Sequence, residues 1–124
     1  MAKIVIVDDS KLARSFAAAV LKRAGHQVSD LEPTDLEGTL QDLRSLAPDL
    51  MVVDHNMPGC PGPTLVRACF QDPELERVKV VMLTAHHDDE IRSRMEKLGV
   101  AMVLYKPVDP GTLAEAVASA LEVR

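Results

Sequence analysis

Aromatic side chains are scarce in this sequence, which has no Trp, one Tyr and two Phe residues. That number is too small for the platform of stacked rings on which proteins bind single-stranded nucleic acid, or for an obvious flavin sandwich. Positive charge is also in short supply, because the net charge is −5 and non-specific DNA binding depends on Lys and Arg contacts to phosphates. The composition therefore argues against direct nucleic-acid binding and against a flavoprotein.

Cysteines and long apolar runs are also few. Cys60 and Cys69 are the only cysteines, and they have neither CxxC spacing nor histidines at zinc-finger intervals, which predicts two unpaired thiols in a reducing compartment. No segment has the roughly 18 consecutive apolar residues that a membrane span requires. The first residues, MAKIVIVDD, lack the basic and long apolar parts of a signal peptide. We therefore expect a cytoplasmic protein without a membrane partner.

What the sequence does have is the size and apolar content of one domain. Its 124 residues, of which 47% are hydrophobic, are enough to bury a core without disulfides or metals as staples. We find no internal repeat, low-complexity tract or Ser/Gly linker. The sequence therefore predicts a single domain over residues 1–124.

Short apolar runs recur along the chain. Residues 4–7, 50–53, 80–83 and 102–105 are rich in branched side chains, a pattern typical of strands buried on both faces of a parallel sheet. A weaker run at 28–31 includes Ser29 and Asp30, which predicts a strand at a sheet edge with one side exposed.

Segments with helical periodicity separate these runs. The first has the apolar residues Leu12, Phe16, Ala19 and Val20 and ends near Gly25. The second begins at a capping box of Thr34 and Glu37, and the third opens at Pro63. The fourth ends at Gly99, and the fifth begins at Asp109-Pro110. Right-handed crossovers fold such an alternation into a doubly wound α/β sheet. Ligands of these folds bind beyond the carboxyl ends of the strands.

Polar side chains follow the predicted strands at those ends. Asp8-Asp9, Asp54, Thr84 and Lys106 come directly after four different apolar runs. Three neighbouring carboxylates repel one another unless a proton or a cation offsets their charge, and Mg²⁺ typically binds one or two carboxylates together with phosphate oxygens. A carboxylate can also attack phosphorus. These residues predict a magnesium-dependent phosphoryl site with Asp54 as nucleophile.

Together these residues resemble the receiver domain of two-component response regulators, over nearly the whole chain. The resemblance rests on Asp8-Asp9, on Asp54 in the string DHNMPGCPG, on Thr84-Ala85 and on Lys106-Pro107, in the order and at the spacings typical of that family. It implies a flavodoxin-like sheet of five parallel strands in the order 2-1-3-4-5 with five helices.

The resemblance also implies a function. Asp54 would receive a phosphoryl group from a sensor histidine kinase or a histidine phosphotransfer protein, and the change would alter the binding of a downstream protein target. The protein would then be a signalling phosphoacceptor with slow chemistry on itself, rather than an enzyme with a separate substrate. A chemotaxis-type or phosphorelay receiver is one form of such a protein, and a part of a longer regulator is another.

Specific roles follow for the site residues. Mg²⁺ would be held by Asp8, Asp9, Asp54 and the backbone carbonyl of Asn56, with Asp9 bound directly and Asp8 through water. Thr84 and Lys106 would contact the phosphoryl group. The resemblance also makes Lys106-Pro107 a candidate for a cis peptide bond, and it assigns the MPG turn and Gly62 to shaping the loop after Asp54.

The sequence departs from the family pattern three residues before Lys106. Receivers usually have an aromatic switch residue there, whereas this chain has Val103. Tyr105 has the same parity on the strand and is a candidate substitute. His86, two residues beyond Thr84, would border the phosphoryl group and slow its hydrolysis, whereas strand parity turns His55 away from Asp54 and into packing.

Three other functions compete with this interpretation. A degenerate receiver acting only as a phosphorylation-independent interaction module is favoured by Val103 alone. A magnesium-dependent phosphatase with an aspartyl intermediate would need a second carboxylate where Asn56 stands. A flavodoxin-like electron carrier would need a Gly/Ser/Thr phosphate cradle where the sequence has Asp-Asp-Ser-Lys.

Overall fold

The computed structural model describes residues 2–122, in which strands and helices alternate along the chain. The strands are β1 (Lys3–Val7), β2 (Gln27–Leu31), β3 (Leu50–Asp54), β4 (Lys79–Thr84) and β5 (Met102–Tyr105). The helices are α1 (Lys11–Arg23), α2 (Leu36–Leu46), α3 (Gly62–Phe70), α4 (Asp89–Leu98) and α5 (Pro110–Glu122). Every strand bound lies within one residue of its predicted position.

All five strands form one parallel sheet in the order β2-β1-β3-β4-β5. This confirms the fold class expected from the sequence. In β3, at the centre of the sheet, every residue is buried, whereas Ser29 and Asp30 of β2 are exposed. The edge position predicted for this polar strand is therefore also confirmed.

The two faces of the sheet pack against different helices, because successive strand side chains point to opposite faces. Val53 belongs to a core that includes Leu65 of α3 and residues of α2 and α4. Val52 belongs to a second core that includes Leu21 of α1 and Leu113 of α5. The sheet is thus covered on both sides, and its carboxyl edge is left for the loops.

The apolar residues that reveal the periodicity of α1 do not all form its buried face. Leu12 is 82% exposed and Phe16 is 40% exposed, whereas Ala17 and Ala18 are buried. These two alanines share a core with small residues of α5, and small side chains allow two helices to approach closely. Leu12 and Phe16 consequently lie on the side of α1 that faces solvent.

The predicted cap of α2 was wrong by one residue. Asp35, not Thr34, is the N-cap, and its carboxylate accepts a hydrogen bond from the Gly38 amide at 2.9 Å. Glu37 does not complete a capping box, since its carboxylate lies 3.5 Å from the guanidinium of Arg44. An Asp one position later in the sequence therefore displaced the Thr from the capping position.

Other local predictions are confirmed. Gly99 ends α4 with a φ of 115°, and Asp109 precedes α5 and accepts a hydrogen bond from the Thr112 amide at 2.9 Å. Both cysteines are unpaired and buried, and burial raises the pKa of Cys69 to about 12.

Along residues 2–122 we find no helix both long enough and apolar enough to cross a membrane.

Candidate functional site

Three carboxylates meet at the carboxyl edge of the sheet. Strands β1 and β3 are neighbours with Val7 opposite Val53, so the residues that follow these strands come side by side. Asp8, Asp9 and Asp54 each have an oxygen within 4.8 Å of one another. Asp8 and Asp54 are buried and Asp9 is exposed. The acidic cluster predicted from the strand ends is therefore present.

Lys106 brings one positive charge to this cluster. It follows β5, and its side chain extends across the ends of two strands, so that its ammonium lies 3.2 Å from Asp54 Oδ1 and 3.3 Å from Asp8 Oδ2. Burial lowers the pKa of Lys106, but the attraction of Asp54 and Asp8 is larger in sum and raises its pKa overall. The lysine is therefore charged and shared between two carboxylates. Its peptide bond to Pro107 is cis, as expected.

The charge of Asp54 is poorly compensated. Burial raises the pKa of its carboxyl, Lys106 opposes that shift, and the nearby Asp8 adds to it, with a raised pKa as the result. A group whose pKa is raised in this way is one whose charged form the surroundings disfavour. A further cation at this edge would therefore stabilise the carboxylate.

The donor set suits magnesium. Three carboxylates face one ammonium, and within residues 2–122 the carboxylate of Asp9 accepts no hydrogen bond and joins no ion pair. Oxygen donors with excess negative charge are the ligands that Mg²⁺ prefers. Asn56 lies with an exposed side chain in the turn after β3, and the role of its carbonyl as a ligand stays a prediction.

Thr84 ends β4 beside the cluster and is 1% exposed. Its Oγ1 accepts a hydrogen bond from the backbone amide of His86 at 3.1 Å. A Thr hydroxyl can donate as well as accept, so this contact leaves the proton of Thr84 available to an incoming oxygen. Thr84 also links to the lysine, because its carbonyl accepts a hydrogen bond from the Lys106 amide at 2.8 Å.

The loop after Asp54 folds tightly back on the strand. The amide of Gly62 donates to the carbonyl of His55 at 3.1 Å, and a Cβ at position 62 would overlap the backbone carbonyl of Asp54. Gly59, in the same loop, has a φ of 78°, a conformation that glycine adopts without strain. Steric constraints thus explain why glycine occupies both positions 59 and 62 of this loop.

His55 is half-buried, and its ring centroid lies 6.4 Å from that of His86. Its Nδ1 is buried and has no hydrogen-bond partner within residues 2–122. Burial lowers the pKa of His55, and the neighbouring His86 lowers it further against an opposing effect of Asp54. The surroundings of His55 therefore favour the neutral imidazole over the charged form.

Tyr105 belongs to a stack that the sequence did not predict. Val103 is buried, whereas the half-buried ring of Tyr105 lies parallel to that of His87, with centroids 4.4 Å apart. The guanidinium of Arg92 lies 5.3 Å from the Tyr105 centroid, and its Nη2 donates to the Val103 carbonyl at 3.1 Å. The stack joins the loop after Thr84 to α4 and β5.

Two further features near the site were missed. An apolar cleft of about 520 Å³ is lined by Leu12 and Phe16 of α1 on one side and by Lys106 and Pro107 on the other. The side chain of Arg14 is buried beneath the Asp8-Asp9 turn, with Nη1 2.8 Å from the Asp8 carbonyl. In the sequence, these features appear only as the apolar pair Leu12 and Phe16 and as Arg14, all on one helix. Neither the pair nor the arginine shows by itself whether its side of the helix is buried or exposed to solvent.

Comparison with known proteins identifies the class. The family model of the response regulator receiver domain matches residues 4–118, so the chain belongs to that family, which acts in two-component signalling. PilH of Pseudomonas aeruginosa is 31% identical over 121 residues, with 98% of each chain covered. The phosphate regulon transcriptional regulatory protein PhoB of Escherichia coli is 29% identical over 111 residues, which are 90% of this chain and 48% of PhoB. The chain thus spans about half of that regulator.

Solved structures agree on the fold. The chemotaxis response regulator CheY4 of Vibrio cholerae superposes with a TM-score of 0.86 at 28% identity, covering 97% of this chain and 98% of that one. A putative response regulator of Chloroflexus aurantiacus gives a TM-score of 0.87 at 29% identity, with 98% of each chain covered. The order of the five strands is therefore that of a CheY-like receiver.

Proposed function

We propose that Asp54 accepts a phosphoryl group from a phosphohistidine of a sensor kinase or a histidine phosphotransfer protein, and that phosphorylation changes the affinity of this receiver for a downstream protein. The observation that carries the proposal is the position of Asp54: a buried carboxylate among two other carboxylates, with the Lys106 ammonium 3.2 Å away. Membership of the receiver family, which acts in two-component signalling, supports the proposal.

The chemistry is a displacement at phosphorus. An oxygen of the Asp54 carboxylate attacks, the P–N bond of the phosphohistidine breaks, and its electron pair returns to the imidazole nitrogen, which takes up a proton. Lys106 neutralises charge on one phosphoryl oxygen, and the Thr84 hydroxyl donates to another. Mg²⁺ held by Asp8, Asp9, Asp54 and the Asn56 carbonyl would neutralise further charge on the phosphoryl oxygens.

The apolar cleft is our candidate for contact with the phosphodonor. Its wall includes Lys106, so a protein seated there lies against the acceptor site, and Leu12 and Phe16 offer it apolar surface. Exposed apolar patches of this kind commonly mark protein interaction sites. We therefore infer that the donor protein docks through apolar side chains of its own.

A small phosphodonor provides the control for this inference. Leu12→Ser and Phe16→Ser should slow phosphorylation by a histidine phosphotransfer protein, while acetyl phosphate, which needs no docking surface, phosphorylates them at the rate of the unmodified protein. Equal rates from the protein donor would exclude the cleft as its contact surface.

The output would pass through the loop after Thr84. Movement of Thr84 toward the phosphoryl group would pull the His86 amide that is bound to its hydroxyl, and with it the neighbouring His87 that stacks on Tyr105. Tyr105 would thus take the part of the missing aromatic at Val103. The downstream target would then recognise α4, β5 and α5.

Helix α4 carries three basic residues, Arg92, Arg94 and Lys97, and two of them already have partners. Arg94 pairs with Glu90 at 2.9 Å, and Arg92 lies over Tyr105. Lys97 is exposed. A target that recognises this face would therefore have to respond to the arrangement of the stack rather than to three free cations.

His86 would govern the lifetime of the phosphoryl group. Its amide is bound to Thr84 and its side chain is exposed next to the site, where it would screen the attacking water. His86→Ala should therefore speed the loss of phosphate after the donor is removed. An unchanged rate would end this assignment.

The central experiment is incubation with acetyl phosphate, with and without Mg²⁺, followed by measurement of the intact mass. We expect a magnesium-dependent gain of one phosphoryl group that is absent in Asp54→Asn. No gain with any donor would instead favour the degenerate, phosphorylation-independent interaction module, which has Val103 in its favour. A single domain over residues 1–124 and a cytoplasmic location remain predictions from the sequence.

A further inference from the structure

Arg14 of α1 makes an unusual set of contacts for a charged residue. It is 8% exposed; its Nε lies 3.2 Å from Asp30 Oδ2 on β2, and its Nη1 donates to the Asp8 carbonyl at 2.8 Å. Burying a guanidinium costs several kcal/mol unless other groups compensate it, and Asp30, whose side chain is 52% exposed, compensates it only in part. The contact of this buried guanidinium with the acidic pair therefore points to a role beyond packing.

The carbonyl that Arg14 holds belongs to the peptide unit between Asp8 and Asp9. That unit is planar, so a hydrogen bond to its oxygen fixes the plane from which both aspartates extend. The other side of the turn is held as well, because the Ser10 amide donates to Asp8 Oδ1 at 2.9 Å. Arg14 is the side chain in these contacts that orients the backbone of the acidic pair.

We propose that Arg14 is a positioning residue for the magnesium site, and that it acts by fixing the Asp8-Asp9 peptide plane through the Asp8 carbonyl. The inference rests on the proposed function, since it supposes that these aspartates hold Mg²⁺. The competing explanation is that Arg14 only ties α1 to β2 through Asp30.

The direction in which the Mg²⁺ affinity changes when Arg14 is replaced distinguishes a charge effect from a positioning effect. A guanidinium close to the acidic cluster repels a bound cation, so loss of its charge alone would tighten Mg²⁺ binding. Loss of positioning has the opposite effect, because outer-shell groups that orient metal ligands contribute about 10- to 100-fold in affinity. Weaker binding after removal of Arg14 can therefore not be a simple charge effect.

The experiment is a calorimetric titration of the full chain with Mg²⁺. Arg14→Met, which keeps an unbranched apolar stem and loses both hydrogen bonds, should bind Mg²⁺ about 10- to 100-fold more weakly. Arg14→Lys, which keeps a positive charge and a hydrogen-bond donor at this position, should recover part of the affinity. Asp30→Asn is the matched control: it removes the ion pair with β2 but keeps the bond to Asp8, so its Mg²⁺ affinity should stay close to that of the unmodified chain.

Unfolding curves without Mg²⁺ separate the two explanations further. If Arg14 only ties two elements together, Arg14→Met and Asp30→Asn will lose stability and both will bind Mg²⁺ normally, which overturns the inference. If Arg14→Met does not fold, Arg14→Gln takes its place, with the same expected loss of affinity. Absence of Mg²⁺ binding in the unmodified chain would refute the proposed function itself, an outcome distinct from failure of the Arg14 variants alone.

Discussion

Two buried aspartates of this molecule behave in opposite ways. Asp54 is 7% exposed and Asp72, two residues beyond the end of α3, is 9% exposed, yet the pKa of Asp54 is raised and that of Asp72 is lowered. For Asp54 the first cause is burial, supported by Asp8 and opposed by Lys106. For Asp72 it is the hydrogen bond from the Glu74 amide, followed by that from Arg44.

The difference lies in the donors and in the depth of the two groups, since burial is the largest cause of the pKa shift for Asp54 and only the third for Asp72. Asp72 Oδ1 accepts from the Glu74 amide at 2.9 Å and Oδ2 accepts from Arg44 Nε at 2.7 Å, so each oxygen has its own partner. Asp54 shares one ammonium with Asp8. Burial alone therefore does not identify a functional carboxylate; a deficit of compensating charge does, because it leaves the group ready for a ligand.

The largest expected effect comes from adding Mg²⁺, which would give Asp54 the compensating charge that Asp72 already has. Mg²⁺ at about 100 times its dissociation constant should stabilise the folded protein by about 2.7 kcal/mol, because it binds the assembled cluster and not the unfolded chain. Asp72→Asn should keep that gain, whereas Asp54→Asn should lose most of it. Urea unfolding with and without Mg²⁺ measures both, and equal gains in the two variants would contradict the assignment of Asp54 to the metal site.

A smaller effect sharpens the contrast without metal. In Mg²⁺-free buffer, Asp54→Asn should raise the midpoint of urea unfolding, because a neutral amide replaces a carboxylate whose charge is disfavoured. Asp72→Asn should lower the midpoint, because it loses an acceptor for Arg44. Shifts of the same sign in the two variants would show that the surroundings of the two aspartates do not differ as their contacts suggest.

The two aspartates should also differ in pH dependence. Because the pKa of Asp54 is raised above the ordinary 3.8, its contribution to stability is present below 3.8 and is lost as the pH rises through the folded-state value. Asp72, with a lowered pKa, contributes above 3.8 and loses its contribution as the pH falls through its folded-state value. The advantage of Asp54→Asn over the unmodified chain should therefore grow with pH above 3.8, and the deficit of Asp72→Asn should shrink below it, as unfolding curves over pH can determine.

The smallest expected effect is a change in tyrosine fluorescence. It tests whether phosphorylation of Asp54 alters the surroundings of Tyr105. Since the chain has no Trp and a single Tyr, tyrosine emission reports Tyr105 alone. Phosphorylation should change its intensity modestly by shifting the stacked His87. His87→Ala should remove the change but keep the gain in mass; a persisting change would show that His87 does not carry it.

Much of this site could be predicted because strands buried on both faces are easy to recognise, and the residues that follow parallel strands must share one edge. The face of α1 could not. Leu12 and Phe16 have the spacing of a core stripe, and only the close packing of Ala17 and Ala18 against α5 decides otherwise. Arg14 was missed for a related reason, since the sequence does not reveal which carbonyl a buried guanidinium will meet.

The close approach of Gly62 to the Asp54 carbonyl has a consequence for genetics. Any side chain at position 62 must displace the backbone of the acceptor strand or of the loop, although Gly62 has no side chain to contact a phosphoryl group. In a screen of random mutants scored by signalling output, position 62 should therefore be nearly as intolerant as Asp54. The two positions would be distinguished by protein abundance, which a change at Gly62 lowers and a change to Asn at Asp54 does not.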